Sequence, residues 1–538
     1  MKLNAENLKN VLAWQGKGIE LPDFDRETMI LQTKQNPGWL HFGPGNIFRA
    51  HIASLQQSLL NGGLTNFGII AVAPNDGEIV DKIYRPHDDL SLLVTMLPDQ
   101  SMRQKVIASV AESLVALPER MPDWQRLQEI LRAPSLQIIS FTITEKGYKI
   151  KDSNGDYLPL VQKDFAEGPK SPKSFPGKLV SLLYERYKAG RLSVTLLSLD
   201  NCSKNGLVLK AAVEETAKVW IQKGFIEESF ADYLNDKISY PCTMIDKITP
   251  RPSEKVQQVL AAEGFTDMEF IASPRGGQYA PFVNAEKTEY LVVEDHFVNG
   301  RPPLEKAGVI FTDRATVDKV ERMKVCTCLN PLHTALAVFG CLLGYTLIAD
   351  EMNNSLLRKL VEKIGCQEGM KVVTNPGVLD PQVFLAECLT QRFPNPAIPD
   401  TPQRIACDTS QKMGIRFGET IKAYVKDPQL SASSLTYIPL VIAGWCRYLM
   451  GIDDNGKVFT VSPDPLLVNL QKQVAGIKLG DNVDVHKVLQ PILCDVGIWR
   501  IDLYNAGIGE KIEGYFKEMM MGEKAVGDSL KKYIEEEI

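Results

Sequence analysis

Histidine is scarce in this sequence, and no histidines or cysteines fall at a metal-binding spacing. Six histidines, at positions 41, 51, 87, 296, 333 and 486, are scattered over 538 residues. There is no H-E-x-x-H, and the ten cysteines include a single close pair, Cys326 and Cys328. A catalytic zinc needs three converging protein ligands, so no metal is expected. Unpaired, dispersed cysteines are the pattern of reduced thiols, which points to the cytoplasm. An excess of one charge is also lacking. The formal net charge is −6 over the whole chain, which offers no general attraction to nucleic acid or to an anionic membrane. Long apolar runs are missing too. The longest, residues 335–348, is broken by Gly340 and Gly344 and is too short to span a bilayer. The opening stretch MKLNAENLKNVLAW carries neither the apolar run nor the small-residue cleavage site of a secretory signal.

Hydrophobic residues make up 44% and charged residues 23%, ordinary values for a globular chain. The length predicts two or three domains. After a polar, partly helical leader over residues 1–35, an apolar strand at 39–42 runs straight into Gly43-Pro44-Gly45. A helical pattern at 47–60 ends at Asn61-Gly62-Gly63, and a second strand at 67–73 ends at Pro74-Asn75-Asp76. Strand, glycine turn, helix, strand is a right-handed βαβ unit. Further strands are predicted at 90–96, 137–143, 193–199 and 290–293. From residue 315 onward helical patterns dominate, among them 315–329, 331–351, 410–425, 434–449 and 509–536. The predicted architecture is a Rossmann-like, doubly wound α/β domain over 1–304 and a mostly α-helical domain over 305–538, with Arg301-Pro302-Pro303 at the boundary.

The glycine turn suits a dinucleotide, because backbone amides and a helix N-terminus there can hold a pyrophosphate. The third glycine of the usual fingerprint is replaced by Phe48, and a plain structural turn explains two glycines equally well. Asp76, at the end of the second strand, is the candidate for the ribose hydroxyls, or simply a turn aspartate. No Arg or Lys follows at once to hold a 2′-phosphate, which favours NAD over NADP.

A metal-free ketone reduction needs a proton donor and groups that hold the carbonyl oxygen. The segment Lys324-Val-Cys-Thr-Cys-Leu-Asn330-Pro-Leu-His333 supplies a lysine, an asparagine and a histidine. Asn330 and His333 stand three apart, about 60° around a helix, and share a face. The alternatives are an N-cap role for Asn330 before Pro331 and a core role for His333.

At these residues the sequence resembles the polyol-specific long-chain dehydrogenases, the mannitol dehydrogenase family. Five motifs stand in the family's order along nearly the whole chain: Gly43-Pro-Gly45-Asn46-Ile47-Phe48-Arg49-Ala-His51, Thr142-Ile-Thr144-Glu145-Lys-Gly-Tyr148, Asp200-Asn201-Cys-Ser-Lys-Asn205-Gly206, Met244-Ile-Asp246-Lys-Ile-Thr-Pro250, and Glu294-Asp295 with Gly300-Arg301-Pro302. The resemblance implies NAD as cofactor, held around Gly43, Gly45, Asn46, Ile47, Phe48, Arg49, Asp76, Thr142 and Glu145. It implies Lys324 as general acid/base, and Asn201, Asn330 and His333 on the reacting oxygen. It also implies substrate contacts from Asp246, Arg404 and Lys412, although ordinary surface charge is the other reading of the last two.

One spacing departs from the family. The lysine usually stands five residues before the asparagine and eight before the histidine; here the gaps are six and nine. On a regular helix nine residues turn about 900° and set Lys324 opposite His333, whereas eight leave about 80° between them. Either a one-residue bulge restores the geometry, or Lys324 precedes a helix that starts at Pro331, or Lys324 is not the base. The long chain and an added segment at 273–286 resemble the hexuronate branch, which reduces fructuronate to mannonate. Arg404, Arg251 and Arg392 are candidate partners for a substrate carboxylate. Tagaturonate reduction, mannitol 2-dehydrogenation and an epimerase that retains its NAD are the alternatives, with a catalytically dead sensor behind them. The expected partner is a small sugar acid or polyol, with no nucleic acid or membrane, for a monomer or small homo-oligomer.

Overall fold

The structure, a computed structural model, describes residues 1–272 and 277–535. Packing divides the chain into two compact units: Met1–Leu97 with Ser101–Asp318, and Pro98–Gln100 with Lys319–Ile538.

The first unit is built on six parallel strands: β1 Trp39–Phe42, β2 Ile69–Ala73, β3 Val110–Val115, β4 Ile138–Phe141, β5 Val194–Ser198 and β6 Ile238–Ser239. Their order is β3-β2-β1-β4-β5-β6, the strand order of a dinucleotide-binding sheet. The register sets Leu40 beside Ile70 on one side and Ile139 on the other. Every residue of β1, β2, β4 and β5 is buried, which explains why they read as continuous apolar runs rather than as alternation. Successive residues still serve opposite faces. Leu40, Phe42, Ile70, Val72, Ile139 and Phe141 join a core with helices Met121–Arg132, Phe175–Lys188 and Asn205–Gln222. Trp39, Ile69, Ala71, Ala73 and Ile138 join a second core with helix Ala53–Asn61.

Two predicted strands lie outside this sheet. Ser91–Met96 pairs antiparallel with Met102–Ile107 and parallel with Phe282–Glu286, in a separate sheet. So short a connection from Met96 to Met102 permits only an antiparallel neighbour. Tyr290–Glu294 pairs with Thr243–Asp246 and Ile310–Thr312 in a third sheet. The sequence pattern missed β3, where Glu112 and Ser113 interrupt the apolar run, and the two-residue β6.

The second unit is helical. Its central helix, Asn330–Leu343, is buried along most of its length and packs on Tyr437–Tyr448, which in turn packs on Gly509–Met519. The backbones come close because Gly444 lacks a side chain: a Cβ there would sit 2.8 Å from the Phe339 ring. The run predicted over 331–351 breaks at Gly344, which takes φ 79° as a left-handed C-cap, a conformation that favours glycine. The 30-residue stretch Arg314–Leu343 is long and apolar enough to cross a membrane, but 83% of its most apolar window is buried inside the protein.

Candidate active site

The first unit holds a glycine turn braced from all sides. Gly43 has φ 99°, and a Cβ there would lie 2.1 Å from the carbonyl oxygen of Thr142. Only glycine lets the ends of β1 and β4 approach this closely. A Cβ on Gly45 would meet nothing within 4 Å, so packing does not explain the second glycine. The first backbone bond of the following helix runs from Arg49 N to Gly45 O. The amides of Asn46, Ile47 and Phe48 therefore have no partner within the helix. An open cradle above free amides is what a pyrophosphate requires, so the residues present fit a dinucleotide.

His41 is the hidden brace of this turn. Its Nδ1 lies 2.7 Å from Ser140 Oγ and its Nε2 lies 2.9 Å from Thr142 Oγ1. Thr142 Oγ1 in turn donates to Gly43 O at 2.7 Å. The ring stacks on Phe48 at 4.1 Å, and burial lowers its pKa to about 3, so it stays neutral. The side chains of Phe48 and Arg49 face the interior at 0% exposure. Arg49 donates to Ala280 O and Asn46 Oδ1, while Asn46 Nδ2 donates to Pro250 O. These residues offer a ligand only their backbone.

Beyond β4, Thr144 carries φ 66°, a strained value for a β-branched residue. Asp200 holds it there. The carboxylate accepts the amides of Ile143 at 3.1 Å and Thr144 at 2.7 Å and the hydroxyl of Tyr148 at 2.5 Å. Burial raises the pKa of Asp200 and of Tyr148. Asn205 Nδ2 donates to Asp200 O at 2.9 Å, and Asn205 Oδ1 accepts the amide of Thr243 at 3.0 Å. Around this clasp Asn201 lies on an exposed bend, Glu145 opens the short helix Glu145–Tyr148 at an exposed position, and Asp246 stands at a buried strand end. Asp76 follows β2, next to Gly77, where a Cβ would meet the Arg120 guanidinium at 2.6 Å. That guanidinium is already paired with Asp81 at 2.7 and 3.0 Å.

The second unit carries Lys324, Asn330, His333, Arg404 and Lys412, of which His333 and Arg404 meet on one carboxylate, Asp400. Lys324 is 4% exposed and opens a π-helical turn, Lys324–Cys328. Leu329 N donates to Lys324 O at 3.1 Å, five residues back. The backbone thus forms a π bulge directly after Lys324, a device often found at functional sites. The helix then restarts, with Leu329 at the cap position and Asn330 as its first residue. Asn330 is not the N-cap, and its buried Oδ1 has no hydrogen-bond partner. Thr334 Oγ1 donates to Asn330 O at 2.9 Å and accepts from Arg416.

His333 Nε2 lies 3.0 Å from Asp400 Oδ2. The distance suits an ion pair, although the angle leaves the nitrogen without a well-directed hydrogen bond. The ring leans on Phe393 at 5.4 Å between centroids. Burial lowers the pKa of His333, with Asp400 pulling the other way. For Asp400, burial acts to raise the pKa, but His333 and Arg404 outweigh it and the net shift is down. Arg404 pairs with Asp400 one helical turn away, and its side chain is 65% exposed. Lys412 Nζ donates to Cys407 O, and burial followed by the charge of Arg416 lowers its pKa. Burial also lowers Arg416, to about 10. Arg392 is buried and Arg251 is exposed in the first unit. Of the added segment at 273–286, residues 273–276 lie outside the described residues. Sequence reading missed Asp400, Arg416 and His41. The i, i+4 spacing of Asp400 and Arg404 was a legible signal for the first, whereas nothing local marks the other two.

Comparison with known proteins agrees with this layout. Residues 37–306 match the mannitol dehydrogenase Rossmann domain, and residues 316–519 match the mannitol dehydrogenase C-terminal domain. The chain is 52% identical to the D-mannonate oxidoreductase of Thermotoga maritima, over 99% of each chain. It is 31% identical to the D-mannonate oxidoreductase of Escherichia coli, over 85% of this chain and 88% of that one. Among solved structures, the mannitol 2-dehydrogenase of Pseudomonas fluorescens, in a ternary complex with NAD and D-mannitol, matches all of both chains at 29% identity and a TM-score of 0.72. The chain belongs to the mannitol dehydrogenase family and is an oxidoreductase of secondary alcohols.

Proposed function

We propose that this protein is a cytoplasmic, NAD-dependent oxidoreductase that interconverts a keto-hexuronate and the matching hexonate, fructuronate and mannonate. The observation that carries the reading is the likeness to a D-mannonate oxidoreductase at 52% identity from end to end. The chemistry of the second unit supports it. Arg404, Lys412 and Arg416 are cations within one short stretch of chain, and Arg404 and Arg416 both bear on the His333 charge. A substrate carboxylate can engage such an arginine in bidentate fashion, and a neutral polyol can use the same arginine for hydroxyl contacts. NAD rather than NADP is supported by the prior engagement of Arg120 with Asp81.

In this reading, bound NAD supplies the hydride acceptor or donor. The amides of Asn46, Ile47 and Phe48 hold the pyrophosphate, with Gly43 and Gly45 giving access and Arg49 bracing Asn46. Asp76 takes the ribose hydroxyls, and Thr142 and Glu145 border the cofactor. Lys324 gives a proton to the oxygen in reduction and takes one in oxidation. Asn201 and Asn330 donate to that oxygen, and His333 binds it as the hydroxyl of the secondary alcohol. Asp246 orients the substrate, and Arg404 and Lys412 hold its carboxylate. On this reading the π turn Lys324–Cys328 takes up the extra residue of the lysine spacing, and an epimerase that retains its NAD is the alternative.

The test is the initial rate of NADH and NADPH oxidation with D-fructuronate, D-tagaturonate and D-fructose. The reading predicts the highest kcat/KM for fructuronate with NADH. Turnover of fructose alone, or preference for NADPH, overturns it.

A further inference from the structure

Asp400 is a carboxylate that the proposed reaction does not use, yet it touches two groups that the reaction does use. It is 7% exposed and held by its own main chain: Asp400 N donates to Ile398 O at 2.8 Å, and Asp400 O accepts Ile348 N at 2.9 Å. One carboxylate oxygen lies 3.0 Å from His333 Nε2, and the other accepts from the Arg404 guanidinium. Each contact has a physical consequence. An anion fixed beside one ring nitrogen stabilises the tautomer whose proton sits there. The other nitrogen, Nδ1, is then left with its lone pair. Phe393 against the ring and the buried helix beneath it limit rotation. On the other side, Arg404 is long and mostly exposed, and such a side chain samples many rotamers unless one end is tethered. A carboxylate at one nitrogen supplies the tether and leaves the remaining N–H donors free.

We propose that Asp400 is a positioning residue that sets the tautomer of His333 and the reach of Arg404 together, and so prepares this site for an anionic sugar acid. The proposal rests on the reading of His333 and Arg404 as substrate-binding groups. Its first test does not depend on turnover. With six histidines in the chain, nitrogen NMR of histidine-labelled protein resolves the rings, and His333→Ala assigns the relevant one. The expected result at neutral pH is an uncharged His333 protonated on Nε2. A ring protonated on Nδ1, or a rapid mixture of both forms, overturns the proposal even if the enzyme is active.

The second test is kinetic. Asp400→Asn keeps the shape and removes the charge, while Asp400→Glu restores the charge. For Asp400→Asn the expected outcome is a kcat loss of about tenfold to a hundredfold, the usual range for removing a group that orients a reactive histidine, with a raised KM for the keto-acid and an unchanged Kd for NADH. Asp400→Glu recovers most of the kcat. Equal damage in both variants, with a lowered Tm, means a structural role only and overturns the proposal, as does unchanged turnover in Asp400→Asn. If the parent oxidises NADH with no keto-hexuronate while the His333 tautomer is as expected, the substrate reading fails and the positioning role stands.

Discussion

The amide of Leu329 donates to the carbonyl oxygen of Lys324, five residues back, at 3.1 Å. That bond closes a π turn, Lys324–Cys328, just before the helix of Asn330 and His333 begins. We read the turn as taking up the one residue by which Lys324 stands farther from Asn330 and His333 than the resemblance implies. Deleting Val325 restores the spacing of five and eight and leaves a regular turn. The expected kcat stays within about tenfold of the parent, a barrier change of ~1.4 kcal/mol or less. A loss of roughly a thousandfold with an unchanged Tm contradicts this account of the turn.

The two glycines of the cofactor turn do different work, and substitution separates them. Gly43→Ala places a Cβ against Thr142 O in a left-handed backbone, so it lowers stability by about 1–3 kcal/mol, visible as a drop in Tm. Gly45→Ala meets no protein atom within 4 Å, so its Tm is unchanged while its Kd for NADH rises at least about tenfold. Unchanged NADH affinity in Gly45→Ala removes the cradle from the argument.

Glu351 is fully buried, with neither carboxylate oxygen hydrogen-bonded. It lies against the helix of His333, where a Cβ on Gly340 would come within 2.2 Å of its Oε1. Burial raises its pKa well above the ordinary 4.5, so the folded protein binds a proton that the unfolded chain releases. The contribution is fully present below the unfolded pKa, and stability falls as pH rises from 4.5 toward the folded value. Glu351→Gln removes that slope. Denaturant titrations at about pH 5 and pH 8 check it, and the expected gain at the higher pH is roughly 1–3 kcal/mol, the scale of an unsatisfied buried group. Parallel losses at both pH values contradict a neutral buried acid.

His41 shows the opposite sign. Its pKa is lowered from 6.5 to about 3 by burial, so the folded state binds fewer protons than the unfolded chain between those values. Stability is present above 6.5 and is lost as pH falls toward 3. Because the folded ring stays neutral down to about pH 3, its brace on Thr142 and Gly43 holds over that interval, and NADH affinity of the folded protein does not follow the stability loss. His41→Gln flattens the stability profile and starts from a lower Tm near pH 7. A His41→Gln protein with the parent's acid profile assigns the effect elsewhere.

Much of this was legible in the sequence, for identifiable reasons. Strands buried on both faces, such as Trp39–Phe42, announce themselves as apolar runs, and the Gly43-Pro44-Gly45 turn marks the helix that follows. The helical unit was visible in its periodicity. What escaped depended on distant partners. Ser91–Met96 looks like its parallel neighbours, and only its pairing with Met102–Ile107 and Phe282–Glu286 places it in another sheet. His41 reads as a polar residue in a strand until Ser140 and Thr142, about a hundred residues away, close around it. The π turn was one of three open readings, because helix-period arithmetic shows a misfit without showing how the backbone resolves it.

The most direct measurement is the ratio of kcat/KM for D-mannonate to that for D-mannitol, each oxidised with NAD by the same preparation. A carboxylate-binding site built on Arg404 and its neighbours predicts a preference for mannonate of about a hundredfold or more, the ~3 kcal/mol expected of a charge-assisted contact. Equal rates, or a preference for mannitol, contradict it.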